Sequence, residues 1–88
     1  MKVNSSFIQK LAYNPSGSIL YIQLKNDKNV NGFCIYIYYN VLRGYILRIT
    51  DYESLGRWFK VIKGAHRNSD KMSDEDAFKF DMDVGYFT

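Results

Sequence analysis

The chain has 88 residues and a net charge of +3, and its 47% apolar and 24% charged residues are the usage of a single globular domain. Its apolar runs are shorter than the roughly 18 residues that a membrane-spanning helix needs, and the polar start Met1–Ser6 lacks the apolar centre of a signal peptide. Cys34 is the single cysteine, which excludes an internal disulfide, so we expect a cytoplasmic protein with no membrane association.

Charge is distributed unevenly along the chain. Residues 1–67 carry a net charge of +7, and residues 68–88 carry −4. We therefore divide the sequence into a basic module, 1–67, and an acidic C-terminal segment, 68–88, which contributes a strand to the same domain. Either the basic body attracts an anion such as nucleic acid and the acidic segment modulates that binding, or the acidic segment packs on the body and neutralises it.

Strand signals dominate the first half of the chain. The mixed apolar run Phe7–Tyr13 and the alternating run Ile19–Leu24 flank the turn Asn14–Gly17, which predicts a β-hairpin. The polar stretch Lys25–Gly32 predicts a loop. The β-branched and aromatic run Phe33–Val41 predicts a third strand.

Helix signals follow in the second half. The stretch Leu42–Ile49 fits either a helix or a strand. Thr50 can cap a helix that has Glu53 at the matching capping-box position, and Gly64 predicts where that helix ends. The apolar stripe of this helix is Tyr52, Leu55, Phe59 and Ile62.

The last part of the chain alternates between apolar and polar residues. Ala65–Asp76 is polar and predicts irregular structure. The alternating apolar residues predict a fourth strand, and they are Phe78, Phe80, Met82, Val84 and Tyr86. Together these elements predict an α+β fold, a small antiparallel meander of three strands plus a C-terminal fourth, packed on one or two helices on one face.

Several short motifs in the first 64 residues occur in a recognisable order. They are Ser5-Ser6-x-Ile8, Tyr13-Asn14-Pro15, Leu20–Asn26, Tyr36-Ile37-Tyr38 followed by Val41, and Ser54-x-Gly56-x-Trp58-Phe59. In this order and spacing the chain resembles the KTSC family, short bacterial domains found at the C-terminus of some lysyl-tRNA synthetases. The resemblance implies a small sheet packed on a helix, with RNA binding as a suggested activity. Leu42 stands where the family usually has proline, and the acidic segment from Asn68 onward lies outside the family pattern.

The usual components of a catalytic or metal site are scarce. His66 is the single histidine, whereas zinc prefers three or four histidine or cysteine ligands. A nucleophile pair of Cys34 and His66 is conceivable, but Cys34 lies in an apolar strand, where a free cysteine usually acts as a small buried hydrophobe. We therefore predict a protein that is not an enzyme, with no catalytic residues, metal or cofactor.

A nucleic-acid surface is the leading functional hypothesis. If the helix covers the sheet face that carries Ile22 and Ile35, then Tyr21, Tyr36 and Tyr38 share the opposite face, where their rings can stack on unpaired bases. The candidate phosphate contacts are Lys25, Arg43, Arg48, Arg57, Lys60 and Lys63. Alternatively, the tyrosine rings form a second small core beneath the C-terminal strand.

A protein target is the competing hypothesis. Small phage or mobile-element proteins that inhibit a host defence protein, in the manner of anti-CRISPR proteins, are of this size and have no catalytic set. The candidate interface is the C-terminal strand, through Phe78, Phe80, Asp81, Met82, Asp83 and Tyr86. Such a strand can add to a partner's sheet or pair with its own copy in a homodimer.

Overall fold

A computed structural model describes residues 7–48, 55–66 and 68–80. Its strands are β1 (Ile8–Asn14), β2 (Ile19–Lys25), β3 (Phe33–Tyr38) and β4 (Ser69–Lys71), and its helices are α1 (Arg43–Leu47), α2 (Leu55–Ala65) and α3 (Asp74–Lys79). The four strands form one antiparallel sheet in the order β1-β2-β3-β4. The predicted α+β class is confirmed, with a four-stranded antiparallel sheet whose fourth strand comes after the first three and α2.

The β1–β2 hairpin forms where the sequence predicts it. Asn14 stabilises the turn, because its Oδ1 accepts a hydrogen bond from the backbone N–H of Ser16 at 3.0 Å. The left-handed backbone conformation falls on Ser18, with φ of 54°, and not on Gly17. The paired residues include Tyr13 with Leu20, so these two side chains lie on the same face of the sheet.

The third strand is shorter than predicted, and a helix follows it. β3 ends at Tyr38 because Asn40, with φ of 56°, turns the chain out of the sheet. The backbone N–H of Val41 then donates to the carbonyl of Ser18 at 2.9 Å, which holds this corner against the first hairpin. The ambiguous stretch Leu42–Ile49 contains the short helix α1.

The pairing of β2 with β3 decides which side chains lie together. Leu20 pairs with Tyr38 and Ile22 with Tyr36, so all four lie on one face, which we call the first face. Helix α2 buries Trp58, Phe59 and Ile62 against it. Trp58 also joins the two helices of this layer, because its Nε1–H donates to the carbonyl of Tyr45 in α1 at 2.8 Å.

Helix α3 covers the opposite face of the sheet, which we call the second face. Ala12, Ile35 and Ala77 form a small buried cluster there. The half-buried hydrophobic residues packed against this cluster are Tyr21, Phe33, Met72 and Phe80. The two predicted helices, α1 and α2, do lie on one face, whereas α3 was not predicted and covers the other face. Both faces of this sheet are apolar, and each one needs its own cover.

The C-terminal part differs from the predicted strand. The predicted irregular stretch 65–76 contains β4 and the first turn of α3, while Phe78 and Lys79 are helical and residues 81–88 lie outside the described residues. The physical reason is the cap at Ser73, whose side chain accepts from the backbone N–H of Asp76 at 3.2 Å. Three carboxylates in the first turn complement the helix dipole.

The predicted apolar stripe of α2 is confirmed where the structure describes its side chains. Phe59 and Ile62 are buried, whereas Thr50, Tyr52 and Glu53 lie outside the described residues. The helix continues to Ala65, so Gly64 lies inside its last turn and not beyond it.

Candidate nucleic-acid interface

The three tyrosines that were predicted to share an open face do not do so. Tyr36 and Tyr38 lie on the first face under α2, whereas Tyr21 lies on the second face, opposite Ile37. Tyr38 is only 5% exposed and meets Phe59 edge-on, with ring centroids 6.0 Å apart. The prediction that Tyr21, Tyr36 and Tyr38 share a face requires β2 and β3 to pair one residue away from the observed register. A shift of one residue moves every side chain of a strand to the other face.

The rings are occupied by contacts within the protein. Tyr21 packs on Phe80 with ring centroids 4.6 Å apart, which agrees with the alternative that tyrosines pack beneath the C-terminal segment. Burial raises the pKa of Tyr38, nearby Tyr36 raises it further, and a hydrogen bond with Ser69 opposes the shift. A base could reach the Tyr38 ring only if the core opened, so Tyr38 is not a stacking platform.

The predicted cations fall into one group and one outlier. Arg57, Lys60 and Lys63 recur every three residues on α2, a spacing that places them near one another on a helix surface. Arg43 begins α1, and Arg48 caps its C-terminus. We call these five exposed residues the basic layer. Lys25 lies apart, because it ends β2 at the loop and pairs with Phe33, at the far end of β3 from α1.

The basic layer and the described carboxylates of the C-terminal segment lie on different elements of the fold. The basic layer belongs to α1 and α2, which pack against the first face. Asp70 lies on β4, and the carboxylates of α3 belong to Asp74, Glu75 and Asp76, on the helix that covers the second face. Lys79 partly offsets this negative charge through its ion pair with Glu75 at 3.1 Å. The five cations of the basic layer therefore lie on other elements than the described carboxylates of β4 and α3.

The residues considered for catalysis are not brought together. Cys34 is buried, and its sulfur lies 3.9 Å from the Asn26 amide nitrogen. The ring of His66 contacts Tyr45, with centroids 5.1 Å apart, and its Nδ1 lies 3.3 Å from the carbonyl oxygen of Ile62. Within residues 7–48, 55–66 and 68–80, no three His, Cys, Asp or Glu side chains are grouped to hold a metal ion. In the same part of the chain, no helix has the length and apolar character to cross a membrane.

The residues of the predicted protein interface have different surroundings. Phe78 is 74% exposed on α3, whereas Phe80 packs against the second face. Asp81, Met82, Asp83 and Tyr86 lie outside the described residues. Sequence reasoning missed three other strongly exposed apolar side chains, Val30 at 94%, Leu47 at 69% and Leu42 at 66%. Val30 is the lone apolar residue of a polar loop, and this feature of the sequence could have identified it as an exposed apolar side chain.

The chain was compared with protein-family models, with curated proteins and with solved structures, and none of them matches it. Function is therefore inferred from the charge and geometry of the described residues.

Proposed function

We propose that the protein is a small non-catalytic module of the cytoplasm that binds RNA or single-stranded nucleic acid through its phosphates. The observation that carries this proposal is the basic layer, five exposed cations on two adjoining helices. The carboxylates of α3 belong to the layer on the other face of the sheet. The resemblance to the KTSC family, which stays a prediction, points in the same direction.

The chemistry of the basic layer favours phosphate contacts over base recognition. Arg and Lys side chains neutralise phosphates and release counterions, which gives affinity without sequence preference. Base stacking is not part of the proposal, because the Tyr38 ring is buried under α2 and Tyr21 packs on Phe80. We therefore expect binding that depends steeply on salt and weakly on base sequence.

A matched pair of double variants tests the proposal. Lys60→Gln with Lys63→Gln removes two charges from the basic layer, and Lys28→Gln with Lys79→Gln removes two exposed charges elsewhere. Fluorescence anisotropy with a labelled single-stranded oligonucleotide, over a range of salt concentrations, gives the affinity and its salt slope. Five phosphate contacts correspond to a slope of about −3.5, and loss of two contacts reduces its magnitude by about 1.4.

The control variant should keep nearly the whole slope of the wild-type protein. Equal weakening by both double variants would mean that only the net charge matters, and no binding at low salt would refute the proposal. Thermal melts of both variants establish that each one is folded. The alternative of a host-defence inhibitor stays a prediction, because most of its predicted interface lies in residues 81–88.

A further inference from the structure

An exposed apolar knob stands on the acidic side of the molecule. Phe78 on α3 and Val30 in the 26–32 loop are 74% and 94% exposed, and both border a groove of about 380 Å³. Two asparagines fasten the loop to α3. Asn29 donates to the Asp74 carboxylate at 3.2 Å, and Asn31 donates to the Asp74 carbonyl at 2.8 Å. Val30 is thereby held beside Phe78, and we call this pair the apolar knob.

A pocket of complementary character lies on the basic side. It has a volume of about 290 Å³ and is lined by Leu42, Gly44, Tyr45 and Arg48. Leu42 is 66% exposed, and a Cβ atom added at Gly44 would meet no atom of residues 7–48, 55–66 and 68–80 within 4 Å, so these residues leave the entrance open. Arg48 contributes a cation to the lining. We call this the α1 pocket.

We propose that the apolar knob of one copy docks in the α1 pocket of a second copy. Phe78 supplies an aromatic anchor for an open pocket that Leu42 and Tyr45 line, and aromatic side chains in pockets are the usual centre of a protein interface. The two surfaces are also opposite in charge, because Asp74 and the ion pair of Glu75 with Lys79 leave one net negative charge beside the knob, whereas the pocket carries Arg48. The inference goes beyond the proposed function and does not depend on it.

The placement of the two surfaces dictates the type of assembly. The knob is on α3, over the second face, and the pocket is on α1, which packs against the first face. Such a contact is heterologous, so each copy in a pair keeps one unused knob or one unused pocket and can add further copies in a row or a ring. The contact is small, which predicts weak association that high salt reduces.

Analytical ultracentrifugation of the full chain without nucleic acid tests the proposal. The mass-average molecular mass of the wild-type protein should rise with protein concentration up to about 1 mM. Phe78→Ser removes the knob, and Gly44→Gln fills the pocket, so each variant alone should stay monomeric. Gly44→Gln should also raise the melting temperature, because Gln favours a helix over Gly, and this separates lost docking from lost folding.

A mixture of the two variants gives the sharpest result. Phe78→Ser retains the pocket and Gly44→Gln retains the knob, so an equal mixture should form one-to-one pairs and no larger assembly. As a control, Val61→Ser alters an exposed apolar residue of α2 outside the pocket and should associate like the wild-type protein. A wild-type protein that is monomeric throughout, a Gly44→Gln variant that associates normally, or a mixture that stays monomeric would each overturn the proposal.

Discussion

Replacing Tyr38 by alanine tests the assignment of the sheet faces. The ring is 5% exposed, lies in the core under α2 and contacts Phe59 edge-on at 6.0 Å. Truncation of a buried aromatic side chain to alanine costs about 3–5 kcal/mol, because transfer energy is lost and a cavity remains. A domain of this length has a free energy of unfolding of about 4–13 kcal/mol. Tyr38→Ala should therefore remove about a quarter or more of the stability.

Urea unfolding provides the measurement. Trp58 is the single tryptophan and is fully buried, so its fluorescence reports the opening of the same core. The neighbouring residue supplies the control. Tyr39 is 38% exposed and makes a surface hydrogen bond with Asp70 at 2.8 Å, so Tyr39→Ala should cost only about 1 kcal/mol.

The comparison of adjacent tyrosines makes the result decisive. If the three predicted tyrosines formed an open stacking face, Tyr38→Ala would cost less than about 1 kcal/mol, as surface substitutions usually do. A small loss for Tyr38→Ala, or an equally large loss for Tyr39→Ala, would refute the observed register of β2 and β3.

Two further predictions concern the cap of α3 and alkaline pH. Ser73→Ala removes the acceptor for the Asp76 N–H and should cost about 1 kcal/mol of stability, as measured by a thermal melt. The control Ser16→Ala, in the exposed turn, should have little effect. Equal melting temperatures for the two variants would contradict the cap. Burial raises the pKa of folded Tyr38 above its usual value of 10.0, so its stabilising contribution is complete below about pH 10 and is lost as the pH rises through the folded pKa. The free energy of unfolding of Tyr38→Phe should therefore fall less steeply than that of the wild-type protein as the pH rises above 10, as measured by urea titration at each pH. An equal slope for the two proteins would contradict the burial of Tyr38.

Local signals were sufficient for much of the fold. The turn at Asn14–Gly17 and the apolar runs on either side predicted the first hairpin, and the stripe of Phe59 and Ile62 predicted the buried side of α2. These features depend on residues within a few positions of one another, where turn chemistry and helical spacing act directly. The sequence does not decide between helix and strand for α1, because five residues around Gly44 carry too little periodicity.

The site was predicted less well, because it depends on alignment between distant residues. The six cations predicted as phosphate contacts are all exposed, as long charged side chains usually are, and their role stays a prediction. The prediction of an open tyrosine face was wrong because helices cover both faces of the sheet. Both faces are therefore apolar, and apolar alternation does not indicate which face carries Tyr36. The start of the strand predicted from Phe78 is wrong because Ser73 and the acidic turn after it begin a helix, and residues 81–88 lie outside the described residues.

The order of elements along the chain has a consequence for synthesis on the ribosome. Three strands of the sheet are complete at Tyr38, yet Ala77, which seals the second face over Ala12 and Ile35, emerges about forty residues later. At about 5–20 residues per second, that interval lasts about 2–8 seconds. During this time the nascent sheet presents an apolar face to its surroundings, and a chaperone that binds apolar surfaces of nascent chains would act within that window.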